Sequence, residues 1–236
     1  MKSLDEIVIY KDDNIVILDK PSLLLSQKDG TGEISLEDYV QEHFHNKKAR
    51  LINRLDKDTT GLIVFGLNEK SIKAMDEIFT DHNQVIKKYI TLVSGIVDKE
   101  GEINAPIRKN FQKHKMVIAP EKSGGKKSLT LYKPVKIYDD STLLEVTLKT
   151  GRTHQIRVHM SYFRHHVIGD YKYGDFKINN IYKNSFGVTT QLLHSYSLEF
   201  NCTNKEFLYL NGKIFTAELP KIFSDIEKAK NSQKIG

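Results

Sequence analysis

Two β-branched runs, Ile7-Val8-Ile9-Tyr10 and Ile15-Val16-Ile17-Leu18, are separated only by Lys11-Asp12-Asp13-Asn14. So short a connection permits an antiparallel hairpin and no parallel crossover, which needs a dozen or more residues. The pattern returns at residues 126–138 and 142–148 around Asp139-Asp140, and at 207–210 and 214–217 around Asn211-Gly212, a dipeptide suited to a tight hairpin turn. Single strands are expected at residues 62–65, 88–93 and 191–200. Helical spacing marks residues 35–44, with Leu36, Tyr39, Val40 and Phe44 on one face and Ser35 as cap. It also marks residues 69–79 through Ile72, Met75, Ile78 and Phe79, then residues 154–163, and a surface helix at 220–229 before a frayed tail. The helices interrupt the strands without a βαβ rhythm. The expected class is therefore α+β, with a mixed, largely antiparallel sheet and flanking helices.

At 236 residues the chain can bury a substantial core, and nothing in it resembles a long linker. It reads as a single domain over 1–236, with a core over about 6–220 and a C-terminal helix and tail over 221–236. A hydrophobic share of 39%, with 11 Phe and 11 Tyr, excludes a disordered protein. The formal charge of +6 favours a polyanionic partner, although a solvated lysine-rich surface would give the same number. Cys202 is the only cysteine, which excludes an internal disulfide and fits a reducing cytoplasm; its sequence context reads as a small packed side chain at a strand end. No apolar run approaches the roughly 18 residues of a membrane span, and the N-terminus lacks the order of a signal peptide. Two stretches read as surface loops of the kind that bind partners. One is 108–125, carrying Arg108, Lys109, Lys113, His114, Lys115 and Lys122 with Gly124-Gly125 as a hinge; the other is 171–190, with Tyr173, Asp175, Lys177 and Asn179-Asn180.

The densest chemistry lies in Asn53-Arg54-Leu55-Asp56-Lys57-Asp58-Thr59-Thr60-Gly61, which leads into a buried-type strand. A carboxylate beside a core needs a cation or hydrogen-bond donors, because an unpaired buried charge is costly. On these residues alone, Asp56 reads as a loop-stabilising carboxylate before it reads as a catalyst, and Asp58 as a turn cap ahead of Gly61. A second dense segment is Thr150-Gly151-Arg152-Thr153-His154-Gln155-Ile156-Arg157-Val158-His159. On a helix from His154, Ile156, Met160 and Phe163 would face inward. Arg157 would sit at that face's edge, where its guanidinium could meet a buried carboxylate. Arg152 and Thr153 would lie at the helix N-terminus, where amides favour a phosphate. His154 and His159 are five residues apart, which is not the metal-helix spacing, so hydrogen bonding or nucleic-acid contact is expected of both. Tyr89 reads as a strand tyrosine that could also stack on a base.

With these residues in view, the chain resembles the RluA branch of the pseudouridine synthases. The branch motif His-Arg-Leu-Asp-Lys-Asp-Thr-Ser-Gly-Leu is matched at residues 53–62, with Asn53 in place of His and Thr60 in place of Ser. Gly-Arg-Thr-His-Gln-Ile-Arg-Val-His is matched without change at 151–159. Further matches are Asp19-Lys20-Pro21 with Leu24-Leu25-Ser26, Lys88-Tyr89, Ile168-Gly169-Asp170 with Tyr173-Gly174, and Leu192-Leu193-His194.

The resemblance implies the pseudouridine synthase fold with a central RNA-binding cleft. It also implies conversion of uridine to pseudouridine in structured RNA, with neither cofactor nor metal. It makes Asp56 the essential aspartate, Tyr89 the tyrosine that stacks on the target base, and Arg157 the basic partner of the aspartate. Leu193 lines the base pocket and Arg54 contacts RNA near the flipped nucleotide. Arg152, Thr153 and His154 join the substrate-binding set. Relatives often carry a small N-terminal S4-type domain; here strand-forming residues begin at Ile7. RNA recognition is therefore expected to rest on the catalytic domain, through residues 108–127, including Arg108, Lys109, Lys113 and Lys115, and through residues 164–190. The expected partner is a stem-loop of large-subunit ribosomal RNA or transfer RNA, met by a cytoplasmic monomer without membrane contact. A non-catalytic RNA-binding protein on the same fold would not need Asp56, Tyr89 and Arg157 together. A glycosidase would need a second, separately placed acid.

Overall fold

A computed structural model of the chain describes residues 3–232. In chain order the elements are β1 (Val8–Lys11), β2 (Ile15–Lys20), α1 (Leu36–His43), β3 (Arg50–Leu51), β4 (Thr60–Gly66), α2 (Glu69–Thr80) and β5 (Val85–Ser94). Then come β6 (Gly101–Asn104), β7 (Ile107–Asn110), β8 (Lys115–Ile118), β9 (Leu129–Ile137), β10 (Ser141–Leu148), α3 (Gln155–Tyr162) and α4 (Phe176–Phe186). The last are β11 (Leu193–Phe200), β12 (Ile214–Thr216) and α5 (Lys221–Ser232). The chain divides into two compact units. One holds the residues up to Lys87 with Ser195–Glu218; the other holds Lys88–His194 with the segment from Leu219 onward.

In the first unit the strand order is β1-β2-β4-β11, with β3 paired to β4 and β12 to β11. The hairpin forms as expected, β1 antiparallel to β2, and β2 pairs antiparallel with β4 from Ile15↔Gly66 to Lys20↔Gly61. Ile15, Val16, Ile17 and Leu18 are fully buried, as are Leu62, Ile63, Val64 and Phe65, so both faces of these strands are covered. That explains their unbroken apolar runs. One face meets α2: Ile15, Ile17, Leu62 and Val64 pack with Met75, Ile78 and Phe79. Each such side chain contributes roughly 1.5–3 kcal/mol by leaving water. Cys202 belongs to the same core, and burial pushes its thiol pKa up to about 11.

Both helices of this unit start on reciprocal caps. Ser35 and Asp38 cap α1, and Asn68 and Ser71 cap α2, satisfying amides that helical bonding leaves over. The expected final hairpin is corrected. Residues 207–210 lie in a 3-10 helix, Lys205–Leu210, and β12 pairs with β11 instead. Asn204 accepts the Glu206 amide at its start. Phe207 and Leu210, three residues apart, are buried on one side of the turn, a spacing that fits three residues per turn.

In the second unit the strand order is β5-β10-β9-β6. β9 and β10 form the expected antiparallel pair, Thr142↔Ile137 through Leu148↔Thr130, with an irregularity where Leu144 faces Pro134. β6 pairs with β9; its Gly-Glu-Ile-Asn sequence holds one apolar residue and gives no strand signal. The expected loop at 108–125 is instead a two-stranded hairpin, β7 with β8, followed by a short 3-10 turn in which Gly124 takes φ +83°. The expected loop at 171–190 holds α4, started by Asp175, whose Oδ1 accepts the Lys177 and Ile178 amides, and ended by Gly187 at φ +71°. Its apolar residues Phe176 and Ile181 are exposed while Asn179 is buried, so its apolar pattern masks its period. α3 buries residues 155–160 in succession, whereas Phe163, expected to face inward, is 38% exposed. α5 buries Phe223 and Ile226 and is tied to the β9–β10 hairpin by Lys136–Glu227 and Lys230–Asp140, each 2.6 Å. The tail expected beyond it lies outside the described residues. Among the described residues no helix is long and apolar enough to cross a membrane.

Candidate active site

The Asp56 loop is clamped at several points by the segment that follows β2. Lys20 is fully buried, and its Nζ donates to the carbonyl oxygens of Pro21 (2.9 Å), Leu24 (2.8 Å) and Lys57 (2.9 Å). Three carbonyls match the three protons of an ammonium. Burial pushes the Lys20 pKa down to about 7, against the opposing pull of Asp58 and Asp56. The Ser26 hydroxyl donates to the Leu55 carbonyl at 2.7 Å and accepts the Leu55 amide at 3.2 Å. Ser22 donates to the Asp58 carbonyl at 3.1 Å. The carbonyls of residues 55, 57 and 58 are thus all held, and Asp56 itself accepts the Thr59 amide through its carbonyl at 3.0 Å to close the turn. The Asp56 side chain is half-buried, while Arg54 is exposed.

Asn53 enters as a splice between β3 and the loop. The Val64 amide donates to its Oδ1 at 2.8 Å, one residue past the Ile52–Val64 backbone bond. Its side chain thus extends the β4 pairing where the main chain has already left. At the loop's far end Gly61 has φ +102°, and a Cβ there would run into the Ser195 backbone.

The second unit carries Tyr89, Arg157 and Leu193. All three are buried, at 7%, 8% and 5% exposure. Tyr89 lies in β5 beside Lys88, which pairs with Glu145 at 3.6 Å. Leu193 opens β11, just after Leu192, whose carbonyl accepts from Leu92 N and Thr91 Oγ1. Arg157 is gripped by Asp170: Nε donates to Oδ2 at 2.7 Å and Nη2 to Oδ1 at 2.9 Å. Burial pulls the Asp170 pKa up, but the Arg157 bond and charge and the Tyr173 and Lys172 amides outweigh it and hold it below the ordinary carboxylate value. The guanidinium also lies over the Tyr173 ring, 5.1 Å from its centroid.

The remaining residues of the 151–159 segment divide by role. Gln155 uses its whole amide: Oε1 accepts from Thr150 Oγ1 and Arg152 N, and Nε2 donates to Leu129 O and Thr130 Oγ1. The Arg152 amide, expected to face a phosphate, is therefore taken, and its Nε donates to Lys127 O at 3.1 Å. The exposed Thr153 precedes His154, which adopts φ +55°, a left-handed conformation that costs a non-glycine residue roughly 1–2 kcal/mol. The His154 Nδ1 lies 2.7 Å from the Tyr173 hydroxyl. His159 is fully buried and in reach of no RNA. Its Nε2 donates to Ala105 O at 2.9 Å and its Nδ1 accepts from Thr130 Oγ1 at 2.8 Å, a tautomer assigned from this network. Burial holds its pKa down. Among the described residues no three His, Cys, Asp or Glu side chains gather as a metal would require. Arg108, Lys109, Lys113 and Lys115 are all exposed on the β7–β8 hairpin.

Lys20, Ser26, Asp170 and Tyr173 hold the candidate residues in place, yet the sequence offered them only as anchors of a resemblance. An Asp-Lys-Pro step at the end of four apolar residues was the available signal for Lys20.

A family model described as RNA pseudouridylate synthase matches residues 14–162, a span that includes both dense motifs. The chain belongs to the RNA pseudouridylate synthase family. The reaction of that family is the isomerisation of uridine to pseudouridine within RNA, and the two motifs are those of its RluA type. The ribosomal large subunit pseudouridine synthase C of Buchnera aphidicola is 29% identical over 226 residues, covering 95% of this chain and 70% of that one. The ribosomal large subunit pseudouridine synthase D of Blochmanniella floridana is 34% identical over 205 residues, covering 82% of this chain and 60% of that one. The synthase chain thus spans about two thirds of the length of these relatives. Among solved structures, human RNA pseudouridylate synthase domain containing 4 superposes with a TM-score of 0.72 at 24% identity, covering 94% and 91% of the two chains, which shows the fold.

Proposed function

We propose that this chain isomerises one or more uridines to pseudouridine in large-subunit ribosomal RNA, with Asp56 as its catalytic carboxylate. The single observation that carries the reading is the loop clamp. Three anchors, at residues 55, 57 and 58, fix the backbone on either side of Asp56 while its side chain stays half-buried. A loop with no work to do would not need a buried ammonium to hold it. The names of the bacterial relatives support ribosomal RNA as the substrate.

The chemistry follows from the bonds exchanged. Breaking C1′–N1 leaves positive charge on the ribose and negative charge on the uracil. Asp56 acts on the ribose, where its charge opposes the developing cation. The detached uracil turns and rejoins C1′ through C5, so C5 loses a proton and N1 gains one, and no atom is lost overall. Tyr89 forms the aromatic platform for the base, and Leu193 supplies the apolar wall that keeps the detached uracil from water. Arg157, its plane set by Asp170, is the third catalytic residue. The target must leave its stack at a cost of a few kcal/mol, which cationic contacts to the backbone offset. Arg54 serves next to the flipped nucleotide, with Arg152, Thr153 and His154 on the substrate side. Arg108, Lys109, Lys113 and Lys115 hold the flanking RNA. The chain works as a monomer in the cytoplasm.

Mapping pseudouridines in total RNA with and without the gene tests this reading, together with Asp56→Asn. Loss of large-subunit sites that return with the wild-type gene and not with Asp56→Asn supports it. A missing site in transfer RNA alone overturns the substrate, and pseudouridine formation by Asp56→Asn overturns the mechanism.

A further inference from the structure

Tyr173 stands where the basic hairpin and the active-site arginine come together. Its hydroxyl accepts the Met116 amide of β8 at 3.0 Å and lies 2.7 Å from His154 Nδ1. One face of its ring carries the Arg157 guanidinium at 5.1 Å, and the Lys115 ammonium sits 5.8 Å from the same centroid. Lys115 Nζ also donates to the Lys172 carbonyl. The Tyr173 amide donates to the Asp170 oxygen that binds Arg157. Met116 pairs with Lys109 in the hairpin, yet its N–H points out of the ribbon to the tyrosine. An edge amide of the hairpin is therefore satisfied by a side chain that also holds the strained His154 and supports Arg157.

We propose that Tyr173 is a positioning residue that joins the β7–β8 hairpin to Arg157, so that RNA seated on the hairpin sets the arginine's geometry for the reaction. The inference rests on the proposed RNA reaction and assigns the hairpin a second task in it. Binding by the hairpin alone would need only its exposed charges. The Met116–Tyr173–His154 bridge adds a rigid path from those charges to the arginine, and displacement of a catalytic group by about 1 Å can lower a rate about a hundredfold.

Two variants cut the bridge from opposite ends. Tyr173→Phe removes the hydroxyl and leaves the ring under both cations. Met116→Pro removes the outward amide at an edge position that proline tolerates. Single-turnover pseudouridine formation is measured at saturating large-subunit RNA taken from a strain lacking the gene. Each variant is expected to slow it by about ten- to a hundredfold. RNA affinity should change by less than about threefold, and the double variant should be no slower than Tyr173→Phe alone, because that variant already removes the Met116 bond. Rates within about twofold of wild type for either variant overturn the link, as do losses that multiply in the double variant or follow weakened RNA binding. If one variant fails to fold, the other decides. Wild-type protein that forms no pseudouridine overturns the activity reading; active wild type beside unaffected variants overturns the link alone.

Discussion

Asp170 and Arg157 form a two-point ion pair inside the second unit, Nε to Oδ2 at 2.7 Å and Nη2 to Oδ1 at 2.9 Å. The geometry fixes the plane of the guanidinium as well as its position. Asp170→Asn removes a counter-charge that this buried cation holds at two points. A loss of about 3–5 kcal/mol in stability by urea unfolding is expected, with a fall in pseudouridine formation.

The same pair predicts an acid dependence. The folded pKa of Asp170 lies below its unfolded value of about 3.9, so the folded state binds fewer protons at acid pH. Its stabilisation is complete above that unfolded value and disappears as pH falls through the folded pKa. The stability gap between wild type and Asp170→Asn should close below about pH 4. A constant gap would mean that the carboxylate's charge does not set the difference.

Lys20 is also shifted down, but there the shift marks a cost of the buried charge and not a stabilisation. Its folded pKa of about 7 lies below the ordinary lysine value, so between about pH 7 and 10 the unfolded chain binds more protons. The cost of burying the charge is fully present below about 7 and is relieved as pH rises toward 10. Urea unfolding of wild type and Lys20→Met at several pH values should therefore show wild type gaining relative stability across that window. Parallel curves would remove the idea.

The hairpin charges are read by salt. If Lys109 and Lys113 each neutralise one phosphate, Lys109→Gln with Lys113→Gln should lower the slope of log affinity against log salt by about 1.5–2. Adding Lys115→Gln should lower it less, because that ammonium is already bonded to Lys172 O and set beside Tyr173. An unchanged slope would place the RNA elsewhere.

Gly61→Ala tests the loop's exit. Positive φ and collision with the Ser195 backbone act together, and overpacking and backbone strain are each worth about 1–3 kcal/mol. A stability loss of about 3 kcal/mol is expected by thermal or urea unfolding.

The sequence disclosed the parts whose signal is local. The hairpin of β1 and β2, the capped helices α1 and α2, and the pairing of β9 with β10 follow from apolar period and turn chemistry. It misread what depends on distant partners. β7 is too polar to read as a strand and β8 too short, and their ladder exists because each supplies the other's bonds. α4 hid because Phe176 and Ile181 face outward. The resemblance marked Asp170 but gave it no role, because it sits thirteen residues beyond Arg157 and meets it only through the fold. Asn53, which departs from the family motif, became intelligible only when its Oδ1 was found on the Val64 amide.

Cys202 has a practical consequence. It is the chain's single cysteine, 2% exposed, with its thiol pKa raised to about 11. At neutral pH a maleimide therefore meets almost no accessible thiolate. The natural protein is its own cysteine-silent background for labelling. Gln112→Cys, at the exposed hairpin tip, would carry the sole reactive thiol. One dye there could report the hairpin's arrival on RNA without any compensating substitution.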